Sequence, residues 1–227
     1  MKLIWLVNYN SANTNFKPIL INNNFTPYRF FCFFIFVFLS CERTDTNIKT
    51  GLKNQILHLG NGAEPQTLDP QLSTAVGDGR IIDGLMEGLL NSHPKTLVPI
   101  PGVAKSWSIS ENLLEITFNL RDNAYWSNGD RVTSHDFIYS YERMLTPELG
   151  AQYSYMLYVI KNAKEYNMGK IKDFTQVGLK APNDTTLIIN LESPTPYILE
   201  LINHGSWLPI HPGTIKKFNA KTNRGTH

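Results

Sequence analysis

Residues 114–147, LEITFNLRDNAYWSNGDRVTSHDFIYSYERMLTP, change their hydrophobic period once, and that change sets the fold class. Ile116, Phe118 and Leu120 first alternate with Glu115, Thr117, Asn119 and Arg121, the period of a strand with one buried face. Ser127-Asn128-Gly129-Asp130 then supplies a turn, and Thr133 with Asp136 has the spacing of a capping box. Phe137, Ile138, Tyr141, Met144 and Leu145 follow at helical spacing, and Pro147 stops the helix because proline cannot donate to the ladder.

Outward from this stretch the mixture continues. Residues 177–180 and 186–191 flank Pro182-Asn183-Asp184 and read as a β-hairpin. Thr195-Pro196 opens another helix, with proline at its first position and Ile198, Leu201 and Ile202 on its buried face. Towards the N-terminus, Asp78 is placed to cap a helix in which Ile81, Ile82, Leu85, Met86, Leu89 and Leu90 recur at helical spacing. Gly84 and Gly88 lie one turn apart on it, fitting either close approach by another backbone or simple tolerance. Residues 55–59 suit a short strand before the breaker Gly60-Asn61-Gly62. Strands and helices alternate without a repeating period, so the expected class is α/β of the mixed α+β kind, and a solenoid is excluded.

Composition narrows the function. Apolar residues make up 42% and charged residues 18% of 227, enough for a real core and incompatible with a disordered or collagenous chain. Lys plus Arg number 21 against 19 Asp plus Glu, so a net charge of +2 provides no footprint for a polyanion, and no nucleic-acid partner is expected. The two cysteines, Cys32 and Cys41, are too few for a metal cage.

Both cysteines belong to one region, Cys32 near the start of the apolar run FFCFFIFVFL at 30–39 and Cys41 just after it; the run is preceded by Lys17 and Arg29 and followed by Ser40, Cys41, Glu42 and Arg43. The run is about half the roughly 20 residues needed to span a bilayer, and it fits the apolar region of a secretory signal peptide. Phe38-Leu39-Ser40-Cys41 resembles a bacterial lipobox, with Phe38 in place of the usual aliphatic residue, which makes Cys41 the expected lipidation site. The expected organisation is therefore a signal peptide over 1–41, a polar flexible linker over 42–54 and a globular portion over 55–227. The alternative is that the run is a buried element and Cys41 a core thiol.

Catalytic signatures are absent from the sequence. His58, His93, His135, His204, His211 and His227 form no paired metal-ligand spacing. Gly60-x-Gly62 and Gly77-x-Gly79 lack the third glycine of a dinucleotide fingerprint, and no phosphate loop occurs. His204-Gly205-Ser206 is not a nucleophile elbow. Glu111 with Glu115, and Asp122 with Asp130, read as surface charge. Aromatic side chains remain: Tyr153, Tyr155 and Tyr158 follow the Pro147 break, and Tyr153 is a candidate lining for a cleft that holds extended polar chains. The competing reading makes this stretch an amphipathic helix with half-buried tyrosines.

Read in order, several phrases resemble one family. EPQTLDP at 64–70, DGLMEGLL at 83–90, PGVAKSW at 101–107, FNLR at 118–121, AYWSNG at 124–129 and VTSHDF at 132–137 resemble, in order and spacing, the substrate-binding lipoproteins of bacterial oligopeptide ABC importers, within the peptide/nickel solute-binding class. Residues 185–197 and 207–218 continue the likeness.

The resemblance implies a periplasmic-binding-protein-like class II fold that closes two lobes over a peptide and holds it as an added strand. It implies no enzyme activity and no cofactor. Oligopeptides and the ABC transporter permease subunits are the implied partners, with attachment to the membrane through a lipid anchor and an extracytoplasmic location in the periplasm or cell envelope. By position, Thr74, Ala75 and Val76 fall where the family pairs main chain with the peptide, and Tyr153 falls where it places a cleft tyrosine. Relatives are more than twice as long, so the expected content is the N-terminal part only, a small lobe over about 71–192 inserted in an incomplete larger lobe, with the second lobe missing. A binder of another small solute, such as a nickel complex, heme or a dipeptide, and a non-functional fragment are the alternatives. A hydrolase is the rival outside the class.

Overall fold

The alternating stretch folds as the sequence dictates. In the computed structural model, which describes residues 47–57 and 59–218, strand β4 (Glu115–Leu120) buries Ile116, Phe118 and Leu120 completely. It is central in an antiparallel sheet of order β3-β4-β6-β5, with β3 at Ala104–Ile109, β5 at Leu179–Asn183 and β6 at Thr186–Asn190. The register sets Ile116 opposite Ile189 and Phe118 opposite Leu187, so four fully buried side chains face each other across the strand pair. Burial of a side chain such as Phe118 stabilises by roughly 1.5–3 kcal/mol. The β5–β6 hairpin expected from 177–191 is present.

Helix α3 (Ser134–Leu145) covers this core with Phe137, Tyr141, Met144 and Leu145, all fully buried. Its start is the expected capping box: Asp136 Oδ2 accepts from the Thr133 backbone N–H at 2.9 Å. The same oxygen accepts from Trp126 Nε1 at 3.1 Å, tying the preceding turn to the helix. Gly129 in that turn has φ 92°, a conformation L side chains avoid. After Leu145 the chain continues through one-turn segments and two short helices, α4 (Ala163–Asn167) and, beyond the hairpin, α5 (Ile198–Ile202). Tyr141 stacks edge-on against Trp207 at 5.3 Å and its hydroxyl donates to Trp207 O at 3.2 Å, fastening the later segment over α3. Helix α6 (Pro212–Lys217) follows.

Three expectations are corrected. The helix near Asp78, here α2, is Val76–Leu85, and it stops before Leu89 and Leu90. Ala75 is its N-cap; Asp78, inside the first turn and 3% exposed, instead accepts the Gln66 N–H at 3.1 Å. Met86 is extended, and Leu90 enters strand β1 (Leu90–Ser92), paired with β2 (Pro99–Pro101). The cause is tertiary: Gly88 O accepts from Val103 N, and Leu89 O from Gly102 N and Ala104 N, so a neighbouring segment takes the carbonyls a longer helix would need.

The second correction concerns 42–54, read as a flexible tether. Asn47–Asn54 is helical, α1, with Ile48 and Leu52 one turn apart and Lys53 in the last turn, where a cation complements the helix dipole. The third concerns 55–59. Gln55 adopts the left-handed conformation (φ 55°) and Ile56 N donates to Gly51 O at 2.8 Å, a Schellman closure of α1, so no strand forms there. The described residues before Gly60 and those from Gly60 onward belong to separate units. Among the described residues no helix is long and apolar enough to cross a membrane. The apolar run at 30–39, Cys41 and the expected signal peptide lie outside the described residues.

Candidate functional site

The site begins with a buried anchor. Asp69 Oδ2 lies 2.7 Å from Arg143 Nη2 on α3, and Arg143 Nη1 donates to Gln71 Oε1 at 2.5 Å. Gln71 Nε2 in turn donates to Ser140 O at 2.5 Å, while Asp69 Oδ1 accepts the Gln71 N–H at 3.0 Å and Asp69 O accepts from Leu72 and Ser73. The LDP phrase is thus pinned to the helix that carries the core, and it delivers the next residues to a fixed place.

Those residues are Thr74, Ala75 and Val76. Ala75 is extended (φ −96°, ψ 140°) and its carbonyl starts α2 by accepting from Gly79 N. The N–H groups of Thr74, Ala75 and Val76 have no hydrogen-bond partner among the described residues, and neither does the Thr74 carbonyl. Thr74 and Val76 are exposed, with the Val76 side chain at 75%. These three residues lead into α2 and form its first position, Ala75 being extended and Val76 helical, with their N–H groups uncommitted as the first N–H groups of a helix are by construction.

Thr74, Ala75, Val76 and Tyr153 all line one cavity of about 340 Å³. Tyr153 is half-buried at the start of the single turn Ser154–Leu157, not on the amphipathic helix considered as an alternative, and it meets His204 edge-on at 5.5 Å. The remaining walls come from Asp83 on α2 and from Asn203, His204 and Ser206 after α5, which the sequence reading did not assign to the site. Nothing in the spacing of Asn203, His204 and Ser206 marks them, because the Tyr141–Trp207 contact and α3 bring them there from far along the chain, whereas Asp83 follows Val76 on α2 itself.

His204 and Ser206 are close but are not arranged for catalysis. His204 Nδ1 accepts from the Ser206 backbone N–H at 3.1 Å and sits 2.9 Å from Ser206 Oγ, so it caps the turn Gly205–Trp207. Partial desolvation lowers the His204 pKa below its usual value, with the Asp83 carboxylate acting in the opposite direction. Ser206 is only 2% exposed. Among the described residues, no group of three or more His, Cys, Asp and Glu is placed to hold a metal ion.

A second cavity of about 490 Å³ adjoins the first, sharing Asp83, Asn203 and Gly205, and extends towards β1. In a third hollow of about 590 Å³, Glu87 and Arg121 form an ion pair at 2.5 Å, and Arg121 Nη1 also donates to Gly102 O at 3.2 Å. That pair joins three of the phrases quoted above, so Glu87 and Arg121 hold the frame and do not line the first cavity.

Residues 98–226 match the family described as bacterial extracellular solute-binding proteins, family 5 middle. The chain is 40% identical over 171 residues to the periplasmic oligopeptide-binding protein OppA of Escherichia coli, covering 74% of this chain and 31% of the relative. It is 35% identical to the dipeptide-binding protein DppE of Bacillus subtilis, covering 74% of this chain and 30% of the relative. Among solved structures, Haemophilus influenzae OppA in complex with RPPGFSPFR matches with a TM-score of 0.66 and 35% identity, over 69% of this chain and 31% of that one. The chain therefore spans about 30% of the length of the curated relatives it matches. The mixed helix-and-sheet architecture is that of the periplasmic-binding-protein-like fold in these neighbours, and the family is one of solute-binding proteins, not a class of enzymes. The chain belongs to family 5 of the bacterial extracellular solute-binding proteins.

Proposed function

We propose that this chain forms one wall of the peptide-binding cleft of an ABC importer's substrate-binding protein, working outside the cytoplasmic membrane and delivering oligopeptides to permease subunits. The observation that carries this reading is the entry to α2 at Thr74–Ala75–Val76, whose three N–H groups and first carbonyl have no partner among the described residues and lie at the edge of a cavity. An extended peptide laid along such an edge gains main-chain hydrogen bonds whatever its side chains, while the cavity accepts one of those side chains. Tyr153 offers a flat apolar face with a hydroxyl beside the same edge. The relatives' printed names, oligopeptide-binding and dipeptide-binding proteins, support a peptide as the solute.

In this reading the sheet and α3 belong to the small lobe, over about 71–192, and Cys41 carries the lipid anchor. Isothermal titration of the chain with a varied set of di- to pentapeptides, and in parallel with nickel and with heme, tests it. Saturable binding of several unrelated peptides is the expected result. Binding of nickel or heme with no response to any peptide overturns it.

A further inference from the structure

The two adjoining cavities have an uneven electrostatic make-up. Of the described residues lining them, only Asp83 carries a formal charge, and it lines both. Its carboxylate is exposed and takes part in no salt bridge among the described residues; Arg80, three residues earlier on α2, does not line either cavity. His204, the other titratable group near it, is held neutral by geometry: Nδ1 accepts the Ser206 N–H, which an imidazolium cannot do, so the single ring proton sits on Nε2. Tyr153, Asn203 and the hydroxyl side chains are neutral. The site as a whole therefore presents one uncompensated negative charge where its two compartments meet.

From this we infer that Asp83 is a specificity-determining residue, selecting ligands that place a cationic group, an ammonium or guanidinium, at the junction of the two cavities. The inference rests on the peptide-binding reading above and adds a charge preference to it. A carboxylate already exposed loses little solvation on pairing, so attraction to a cation is not offset by a large burial cost, and an anionic ligand group in the same place is repelled. The preference is modest in size because the site is open to water. It amounts to about a threefold to fivefold difference in affinity at low salt, shrinking as ionic strength rises.

The experiment titrates the whole chain, unmodified and as Asp83→Asn, with four tripeptides: free-ended Ala-Ala-Ala, and acetylated, amidated forms of Ala-Ala-Ala, Ala-Lys-Ala and Ala-Glu-Ala. The expected result is that one or both cation-bearing peptides bind tighter than the neutral one and the glutamate peptide weaker, with the differences lost in Asp83→Asn. Preference for free-ended Ala-Ala-Ala identifies the terminal amine as the cation, and preference for Ala-Lys-Ala identifies the side chain. Equal affinity for all four, or a preference that survives Asp83→Asn, overturns the inference and leaves peptide binding intact. Failure of every peptide to bind overturns the peptide-binding reading and this inference with it.

Discussion

Asp69 Oδ2 and Arg143 Nη2 lie 2.7 Å apart with the arginine side chain 7% and the aspartate 18% exposed, linking the loop that leads into the candidate site to the helix that covers the core. A charge buried to this degree is tolerated because it is paired and hydrogen-bonded to Gln71 as well. Removing one partner leaves the other desolvated and uncompensated. Asp69→Ala is therefore expected to destabilise the fold by about 3 kcal/mol. The double variant Asp69→Leu with Arg143→Met should cost clearly less than the sum of the single changes. Urea denaturation of Asp69→Ala, of the single changes Asp69→Leu and Arg143→Met, and of the double variant checks this, and strict additivity would mean that the pair does not act as a unit.

The glycines divide by what a β-carbon would meet. At Gly102 it would lie 2.6 Å from Gly88 O and 3.0 Å from Leu89 O, within the backbone pairing that ends α2. At Gly84, near the end of α2, nothing stands within 4 Å. Gly102→Ala should cost about 2 kcal/mol through forced backbone displacement, and Gly84→Ala should be neutral or stabilising by about 0.5 kcal/mol from helix propensity. Thermal denaturation of the two variants separates them; of the pair one turn apart in the sequence, Gly84 meets nothing within 4 Å while a β-carbon at Gly88 would lie 3.3 Å from Leu90 O.

His204 makes stability depend on pH in a defined direction. Its folded-state pKa lies below the ordinary 6.5, so the unfolded chain binds the proton more readily than the folded one. The contribution is complete above about pH 6.5 and is lost as the pH falls below it towards the folded-state value. His204→Asn keeps a side-chain acceptor for the Ser206 N–H and removes the titration. Comparing urea midpoints at pH 7.5 and pH 5.5, the unmodified chain should lose more stability on acidification than His204→Asn does. An equal loss in both would show that this histidine contributes nothing.

The parts of the fold visible in the sequence are those whose information is local. Strand β4 carries its own alternation, α3 its own capping box and stripe, and the β5–β6 hairpin its own turn, so each was readable from its own residues. The end of α2 was not, because Leu89 and Leu90 fit helical spacing equally well and the deciding bonds come from Gly102, Val103 and Ala104. Residues 55–59 looked like a strand by composition, but backbone closure of α1 at Gln55 takes precedence. At the site, Thr74, Ala75 and Val76 came from family resemblance and Tyr153 from its aromatic surroundings as well as the resemblance, and the structure brings all four to one cavity. Asn203 and His204 joined them only through tertiary packing, which no spacing rule encodes, whereas Asp83 lies on the same helix as Val76. Most of the phrases that carry the resemblance turn out to be framework: Asp69, Glu87 and Arg121 tie segments together.

Val76 allows the main-chain claim to be tested without dismantling the fold. It is the first residue of α2, where proline is well tolerated because the N–H has no partner within the helix. Val76→Pro removes that donor, whereas Val76→Ala removes only an exposed side chain. Peptide affinity should fall about threefold to tenfold in Val76→Pro, the worth of roughly one hydrogen bond, and stay unchanged in Val76→Ala. Circular dichroism confirms that both variants remain folded.

The most direct measurement is an amide NMR titration of the isotopically labelled chain with a short unlabelled peptide. The N–H resonances of Thr74, Ala75 and Val76 should shift downfield and saturate together, as donors acquiring carbonyl partners do, with Tyr153 and His204 responding alongside them. Peptide binding that shifts other amides and leaves these three unmoved would contradict the account.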